Sequence, residues 1–400
     1  MPARSISAAA PAVSLPDSAR AWVVAGAAFV TGFVVFGVIY SFGVLIGPMT
    51  ADLGTGSAGA SALFSAAGLA FYMIGPVAGH LGDRFGPRIM VAIGATLLGL
   101  GLVTTALIDR LWVGYLTYGL LVGLGAAFAY LPALAIVGGW FERHRGTALG
   151  VAAAGTGCGM MVLPPLTAAL IERFGWRPSV AAVGVVCGLL LAGCAVAVRP
   201  PPTPPAGGTK ALIRSLLSPA FVMMYVSWVL ATIALFVAFI FLPPFAVGLG
   251  ASQTAASALL SIIGGMSILG RLGMGMASDR LGIVGLFKAA VFVMAVSYVA
   301  WLSSTTYQGL VWFAVILGLG YGVRIALVPG MLIALFGLGN LGTMLGVFFT
   351  ATGVASVLGP VAAGVIVDIS GGYEWGIIFA LAMAAIGFLA ILPVRIERPE

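Results

Sequence analysis

Apolar residues in this chain come in long unbroken runs, not in alternation. A half-buried strand would alternate polar and apolar positions, and a helix on a water-facing domain would carry an apolar stripe of period about 3.6. Continuous runs of about 20 residues fit helices that cross a bilayer. Breaks marked by charge, Gly or Pro leave twelve such spans, starting near Trp22, Ser57, Arg88, Leu111, Gly146 and Pro178, then near Pro219, Ser252, Gly285, Gly309, Gly342 and Trp375. The pattern predicts an all-α membrane protein. It disfavours a transmembrane barrel, whose strands would alternate.

The polar punctuation repeats. Gly79, Asp83, Arg84 and Gly86 recur at one constant offset as Gly275, Asp279, Arg280 and Gly282. At the same offset Pro48 meets Pro244 and Pro164 meets Pro360, Ser61-Ala62-Leu63 meets Ser257-Ala258-Leu259, and Gly146, Thr147, Leu149 and Gly150 meet Gly342, Thr343, Leu345 and Gly346. A repeat of this length means two equivalent halves. In an apolar chain it predicts two pseudo-symmetric six-helix bundles with a transport site between them. The expected division is a tail at 1–20, bundles at 21–198 and 215–394, a linker at 199–214 and a tail at 395–400. The linker holds Arg199-Pro-Pro-Pro-Thr-Pro-Pro-Ala-Gly-Gly-Thr-Lys210. Its prolines favour an extended chain, and no helix is expected there.

Composition agrees: the chain is 61% hydrophobic and 7% charged, which suits lipid as its solvent and not water. The net charge of +7 is not spread evenly. Arg4, Arg20, Arg84, Arg88, Arg143, Arg145, Arg199, Lys210, Arg214, Arg280, Lys288, Arg395 and Arg398 collect on one set of loops, against Arg110, Arg173 and Arg177 on the other. The positive-inside rule then puts both termini in the cytoplasm, in a multi-pass cell-membrane protein for which a bacterial inner membrane is a natural home. The basic balance reports topology and contact with anionic lipid, not nucleic acid. No cleavable signal is evident in Met1–Arg20, and Cys158, Cys187 and Cys194 sit inside apolar runs as small hydrophobes. Metal spacing, a phosphate loop and a nucleophile–base set are all missing, so neither an enzyme nor a cofactor is expected, and a monomer suffices for function.

The segment Gly79-His-Leu-Gly-Asp83-Arg84-Phe-Gly86-Pro-Arg88 resembles the loop motif between the second and third helices of the major facilitator superfamily. Gly275-Met-Ala-Ser-Asp279-Arg280-Leu-Gly282 is its second-half copy. The resemblance implies that Asp83, Arg84, Arg88, Asp279 and Arg280 help close the cytoplasmic side, since an Asp there can accept from a helix N-terminus and pair with an Arg. A narrower resemblance is to the monocarboxylate transporters and the oxalate–formate antiporters. It rests on Pro16-Asp17-Ser-Ala-Arg-Ala-Trp22, Trp140-Phe-Glu-Arg-His-Arg145-Gly-Thr-Ala-Leu-Gly150, Ala154-Gly-Thr-Gly-Cys-Gly159, Leu163-Pro-Pro-Leu166 and Gly175-Trp176-Arg177. The usual glycine-rich start of the first helix keeps only its Asp and final Trp. Gly155, Gly157 and Gly159 let a neighbouring helix approach, and Pro164 and Pro165 offer a place to bend.

Arg271 and Arg324 are the charges that fall well inside predicted spans. An Arg at the bilayer centre costs about 2.5–3.5 kcal/mol on a lenient scale, so its presence marks a candidate anion site. Their repeat mates are Gly75 and Phe128, which makes the scaffold duplicated and the chemistry not. Ser267-Ile-Leu-Gly-Arg271-Leu-Gly-Met-Gly275 resembles the eighth helix of the monocarboxylate group, where such an Arg holds the substrate carboxylate. That resemblance makes a small carboxylate the expected substrate. Tyr40, Tyr130 and Tyr321 are secondary candidates for lining the site, while Tyr115, Tyr118, Trp112 and Trp375 fit an interfacial belt. Proton symporters of that group usually carry an acid where Ser267 stands and often a Lys where Tyr40 stands. These departures count against proton coupling and favour anion exchange, with symport still open and export of hydrophobic or drug-like compounds as the alternative.

Overall fold

A computed structural model of the chain describes residues 16–54, 57–201 and 208–395. Among the described residues ten helices are long and apolar enough to span a bilayer alone. We number the spans α1 (Ala19–Leu53), α2 (Ser57–Met73 continuing as Gly75–Phe85), α3 (Pro87–Thr105), α4 (Leu111–Val137), α5 (Arg145–Phe174) and α6 (Trp176–Ala197). The second half supplies α7 (Pro219–Gly248), α8 (Gln253–Leu281), α9 (Ile283–Leu302), α10 (Tyr307–Phe336), α11 (Leu341–Ser370) and α12 (Tyr373–Ile391). The eleventh span is α2, bent by 44° at Ile74, two residues before Pro76, which has no N–H to give the helical ladder. The twelfth is α8, whose described apolar stretch is Ala258–Gly273.

The repeat seen in sequence is a repeat of packing. Within the first half α1 packs on α5, α3 on α6 and α4, and α2 on α4. Within the second half α7 packs on α11, α9 on α12 and α10, and α8 on α10. The seams between halves are paired in the same way: α2 meets α11 as α8 meets α5. Gly86 and Gly282 show why the loop motif keeps its last glycine. Both have positive φ, 90° and 86°, and each ends one span and opens the next without a linker. Leu69, Ile89, Leu189, Val361 and Ile369 are exposed on outward helix faces, where lipid would cover them.

Two quoted motifs turn out to be one contact. The Asp17 carboxylate accepts from the backbone N–H groups of Glu142, Arg143 and His144 at 3.2, 3.0 and 3.2 Å, and Trp22 lies edge-on to Phe141 at 5.0 Å. The bond from Arg143 N–H is the main influence holding the Asp17 carboxyl below its usual range. The entry of α1 is thereby tied to the loop before α5.

Two expectations change. The linker carries a short helix, Thr209–Leu216, with no buried residue; Gly208 precedes it, and Lys210 and Arg214 lie one turn apart on it. Residues 202–207 lie outside the described residues. Tyr118 is not an interfacial residue: it is fully buried, donates to the Val38 carbonyl at 3.3 Å and packs on Phe42 at 4.5 Å. It sits on a π-helical stretch, Tyr115–Val122, which rotates the helix face away from the regular register. Pro164 and Pro165 lie inside one continuous 30-residue helix.

The glycines of α5 do admit a neighbour. A Cβ at Gly155 would come 2.0 Å from the Phe29 carbonyl oxygen, and one at Gly159 would come 2.1 Å from that of Phe33, both on α1. We expect Gly155→Val to push α1 off α5 and to destabilise the purified protein by about 1–3 kcal/mol, the usual cost of overpacking, read as a lower thermal midpoint in detergent. An unchanged midpoint would mean that the α1–α5 seam tolerates bulk.

Candidate functional site

The two membrane arginines come from adjoining helices. α8 and α10 approach closely because small residues face one another: a Cβ at Gly322 would lie 2.0 Å from the Ser267 carbonyl oxygen, and one at Gly270 would lie 2.5 Å from that of Leu319. This seam sets Arg271 and Arg324 beside the space between the bundles, each only 1% exposed. Arg271 donates through Nη1 to Thr156 Oγ1 at 2.5 Å and to the Ala153 carbonyl at 3.3 Å, both on α5 of the other bundle. Its Nε has no acceptor among the described residues. Arg324 donates through Nη2 to Thr232 Oγ1 at 2.9 Å and stacks over the Trp228 ring at 4.0 Å. Its Nε and Nη1 have no acceptor among the described residues. Among the described residues no carboxylate pairs with either guanidinium; the ion pairs there join His144 to Asp17 and Arg177 to Asp52 and Asp109.

Both arginines line one cavity, and so do Tyr40, Tyr130 and Tyr321. The space open to the centres of water-sized groups is about 50 Å³. One water needs roughly 10–15 Å³ on that measure, so the cavity admits a small molecule. Its walls are largely aromatic. Tyr321 lies under the Arg271 guanidinium at 5.8 Å, Phe36 meets Tyr130 at 5.1 Å, and Tyr130 meets Phe349 of the other bundle at 6.1 Å. Sequence reasoning missed Thr156, Thr232, Trp228 and Tyr72, all of which line this cavity. The signal was present but faint: each is a polar or amphipathic residue in the middle of an apolar run.

The architecture and site can now be set beside known proteins. The family model described as Major Facilitator Superfamily matches residues 28–323. Monocarboxylate transporter 3 of Rattus norvegicus is 35% identical over 388 residues, covering 92% of this chain and 78% of that protein. The Fujikurins efflux protein of Gibberella fujikuroi is 28% identical over 336 residues, covering 82% of this chain and 71% of that protein. Among solved structures, the proton:xylose symporter XylE bound to 6-bromo-6-deoxy-D-glucose shares the fold at a TM-score of 0.72 and 14% identity, covering 93% of this chain and 95% of that one. The chain belongs to the major facilitator superfamily, in its monocarboxylate-transporter-like group. It is a multi-pass membrane transporter and not an enzyme.

The superfamily's loop motif has a physical role at the end of the molecule that carries Arg84, Arg88, Arg143 and Arg145. The Asp83 carboxylate reaches from the end of α2 across to the first turn of α11. It accepts from Gly342 N at 3.1 Å, from Thr343 N at 2.9 Å and from Thr343 Oγ1 at 2.8 Å. A carboxylate on the positive end of a helix dipole is favourable twice over, through charge and through hydrogen bonds. Close glycines permit the approach: a Cβ at Gly79 would run into the Gly342 carbonyl, and one at Gly346 would lie 2.1 Å from that of Gly75. The bond is to a helix end and not to an arginine. Arg84 rests by the Phe85 ring at 5.3 Å, and Arg84 and Arg88 are both exposed and enter no ion pair among the described residues. The side chains of Asp279 and Arg280 lie outside the described residues. We expect Asp83→Asn, which keeps the shape and removes the charge, to destabilise the α2–α11 seam by about 1–2 kcal/mol, measured as a lower thermal midpoint, and Thr343→Val, which removes a hydroxyl bonded to that carboxylate, to lower the midpoint less in that background than alone. Simple additivity of the two changes would exclude a shared contact.

Proposed function

We propose that this carrier moves small organic anions, short mono- or dicarboxylates, by alternating access between its two bundles. Arg271 grips the carboxylate, Arg324 offers a second cationic contact, and Tyr40, Tyr130 and Tyr321 close around the remainder. One observation carries this reading: two buried guanidinium groups keep donors without acceptors inside a small cavity that no described carboxylate enters. A guanidinium presents a planar fork that matches a carboxylate, and a desolvated cation gains most from a ligand of opposite charge. Membership of the monocarboxylate-transporter-like group supports the same class. The lysine and arginine distribution supports a cytoplasmic placement of both termini and of the Asp83 seam in a cell membrane, with lipid as the surrounding partner and a single chain as the working unit.

The proposed mode is exchange. Ser267 stands one turn before Arg271, is buried, and bonds its own helix at the Gly264 carbonyl at 2.7 Å, so it supplies no titratable group near neutral pH. An empty carrier must reorient with two uncompensated buried cations, whereas a bound anion neutralises them. Labelled carboxylate should enter proteoliposomes faster when unlabelled carboxylate is inside, and a flux indifferent to the internal anion would defeat exchange.

Export of hydrophobic compounds is the second reading, favoured by the aromatic walls and by the relative named as an efflux protein. Arg271→Lys separates the two. Removing the fork from a buried charged contact costs about 2 kcal/mol or more, so carboxylate uptake should fall about 30-fold or more. Undiminished uptake would leave export as the better account.

A further inference from the structure

Arg271 bonds to the opposite bundle before any ligand is considered. Its Nη1 is shared between Thr156 Oγ1 and the Ala153 carbonyl on α5, while the Thr156 hydroxyl itself donates to that carbonyl at 2.9 Å. Hydroxyl, carbonyl and guanidinium form one closed set in which the hydroxyl both gives and accepts. Two glycines make room for it. A Cβ at Gly157 would lie 2.8 Å from Arg271 Nη1, and one at Gly32 would lie 3.0 Å from Thr156 Cγ2 and press the threonine out of place. Arg271 belongs to the second half of the chain and its acceptors to the first. These bonds therefore exist only while α5 and α8 are together at this level.

We propose that Thr156 is the positioning residue for Arg271, and that it makes the anion-gripping arginine a latch between the bundles. With Nη1 spent on α5, the guanidinium of this cavity-lining residue is fixed in place while its Nε keeps no acceptor among the described residues. Separation of α5 from α8 breaks the bonds, frees the guanidinium and dismantles the grip. Closure and anion affinity are then one event, and the empty carrier is held closed along α5 and α8 by the same group that awaits the ligand. The inference rests on the anion reading only for what Arg271 grips; the latch itself concerns the ligand-free protein.

The test uses no ligand. Leu149 on α5 is 2% exposed at the seam with α10 and close to Gly330. Leu149→Cys therefore reports separation of the bundles through its rate of maleimide labelling, corrected for Cys158, Cys187 and Cys194 in the same protein without it. Thr156→Val keeps the shape and removes the hydroxyl. We expect it to raise the labelling rate about three- to tenfold, the share of a charged hydrogen bond that the Ala153 carbonyl does not retain. Thr156→Ser should restore the original rate, and Thr156→Ala should behave as Thr156→Val does. In the Arg271→Met background the change at Thr156 should have no effect, because its action runs through Arg271. An unchanged rate, or an equal rise with and without Arg271, overturns the proposal. A coupled cycle in a protein that no carboxylate stabilises would retain the latch and discard the anion reading, so the two fail separately.

Discussion

The constraint on which this molecule turns is a pair of positive charges held out of water with no carboxylate paired to either among the described residues. A guanidinium cannot lose its proton to escape burial as a lysine can, so the surroundings must supply acceptors. They supply too few. Thr232 takes one donor from Arg324, Thr156 and Ala153 take those of one Arg271 nitrogen, and the Trp228 face takes what a ring can. The remainder is an unmet demand for negative charge located between two bundles. Both halves line the cavity beside that demand, with Tyr40, Tyr130 and Thr156 from the first and Arg271, Arg324 and Tyr321 from the second.

The seams between the bundles are tight and polar together. Along α2 and α11 the approach is glycine on glycine, with Asp83 holding the first turn of the opposing helix. Along α5 and α8 the approach is Gly157 beside Arg271. Apolar side chains alone would give no preference over lipid for such contacts, since tails are as apolar as leucine. Hydrogen bonds across the seam have a definite geometry. They make closure a distinct state and not a gradual collapse.

Much of this was legible before any coordinates. The twelve spans, the two halves and the pair of charges follow from hydropathy, a constant offset and the scarcity of Arg in apolar runs. Gly86 and Gly282 could be matched in sequence, and their positive φ explains the match. What stayed hidden depends on contacts between distant segments. Nothing in the run around Thr156 says that its hydroxyl meets Arg271, because the two residues lie in different halves and only the packing of α5 on α8 joins them. Tyr118 near a span end looks interfacial until the π-helical stretch turns it inward. The linker helix was hidden by prolines that precede it.

The repeat explains how a duplicated scaffold came to hold unduplicated chemistry. Thr156 and Thr352 are repeat mates, and so are Gly32 and Trp228. In the first half the glycine leaves the threonine free to face the other bundle, where Arg271 finds it. In the second half the tryptophan fills the equivalent space, donates from Nε1 to Thr352 at 2.9 Å and offers its ring to Arg324. Gly75, the mate of Arg271, lies so close to Gly346 that a Cβ there would come 3.1 Å from a carbonyl oxygen, which leaves no place for a second charge. One threonine thus reaches across the seam and its twin is retained within its own bundle. The difference is a single side chain, present at position 228 and absent at position 32. It decides which threonine faces across the seam, while Arg271 and Arg324, whose mates are Gly75 and Phe128, place the cations in the second bundle and leave the first to supply acceptors and aromatic wall.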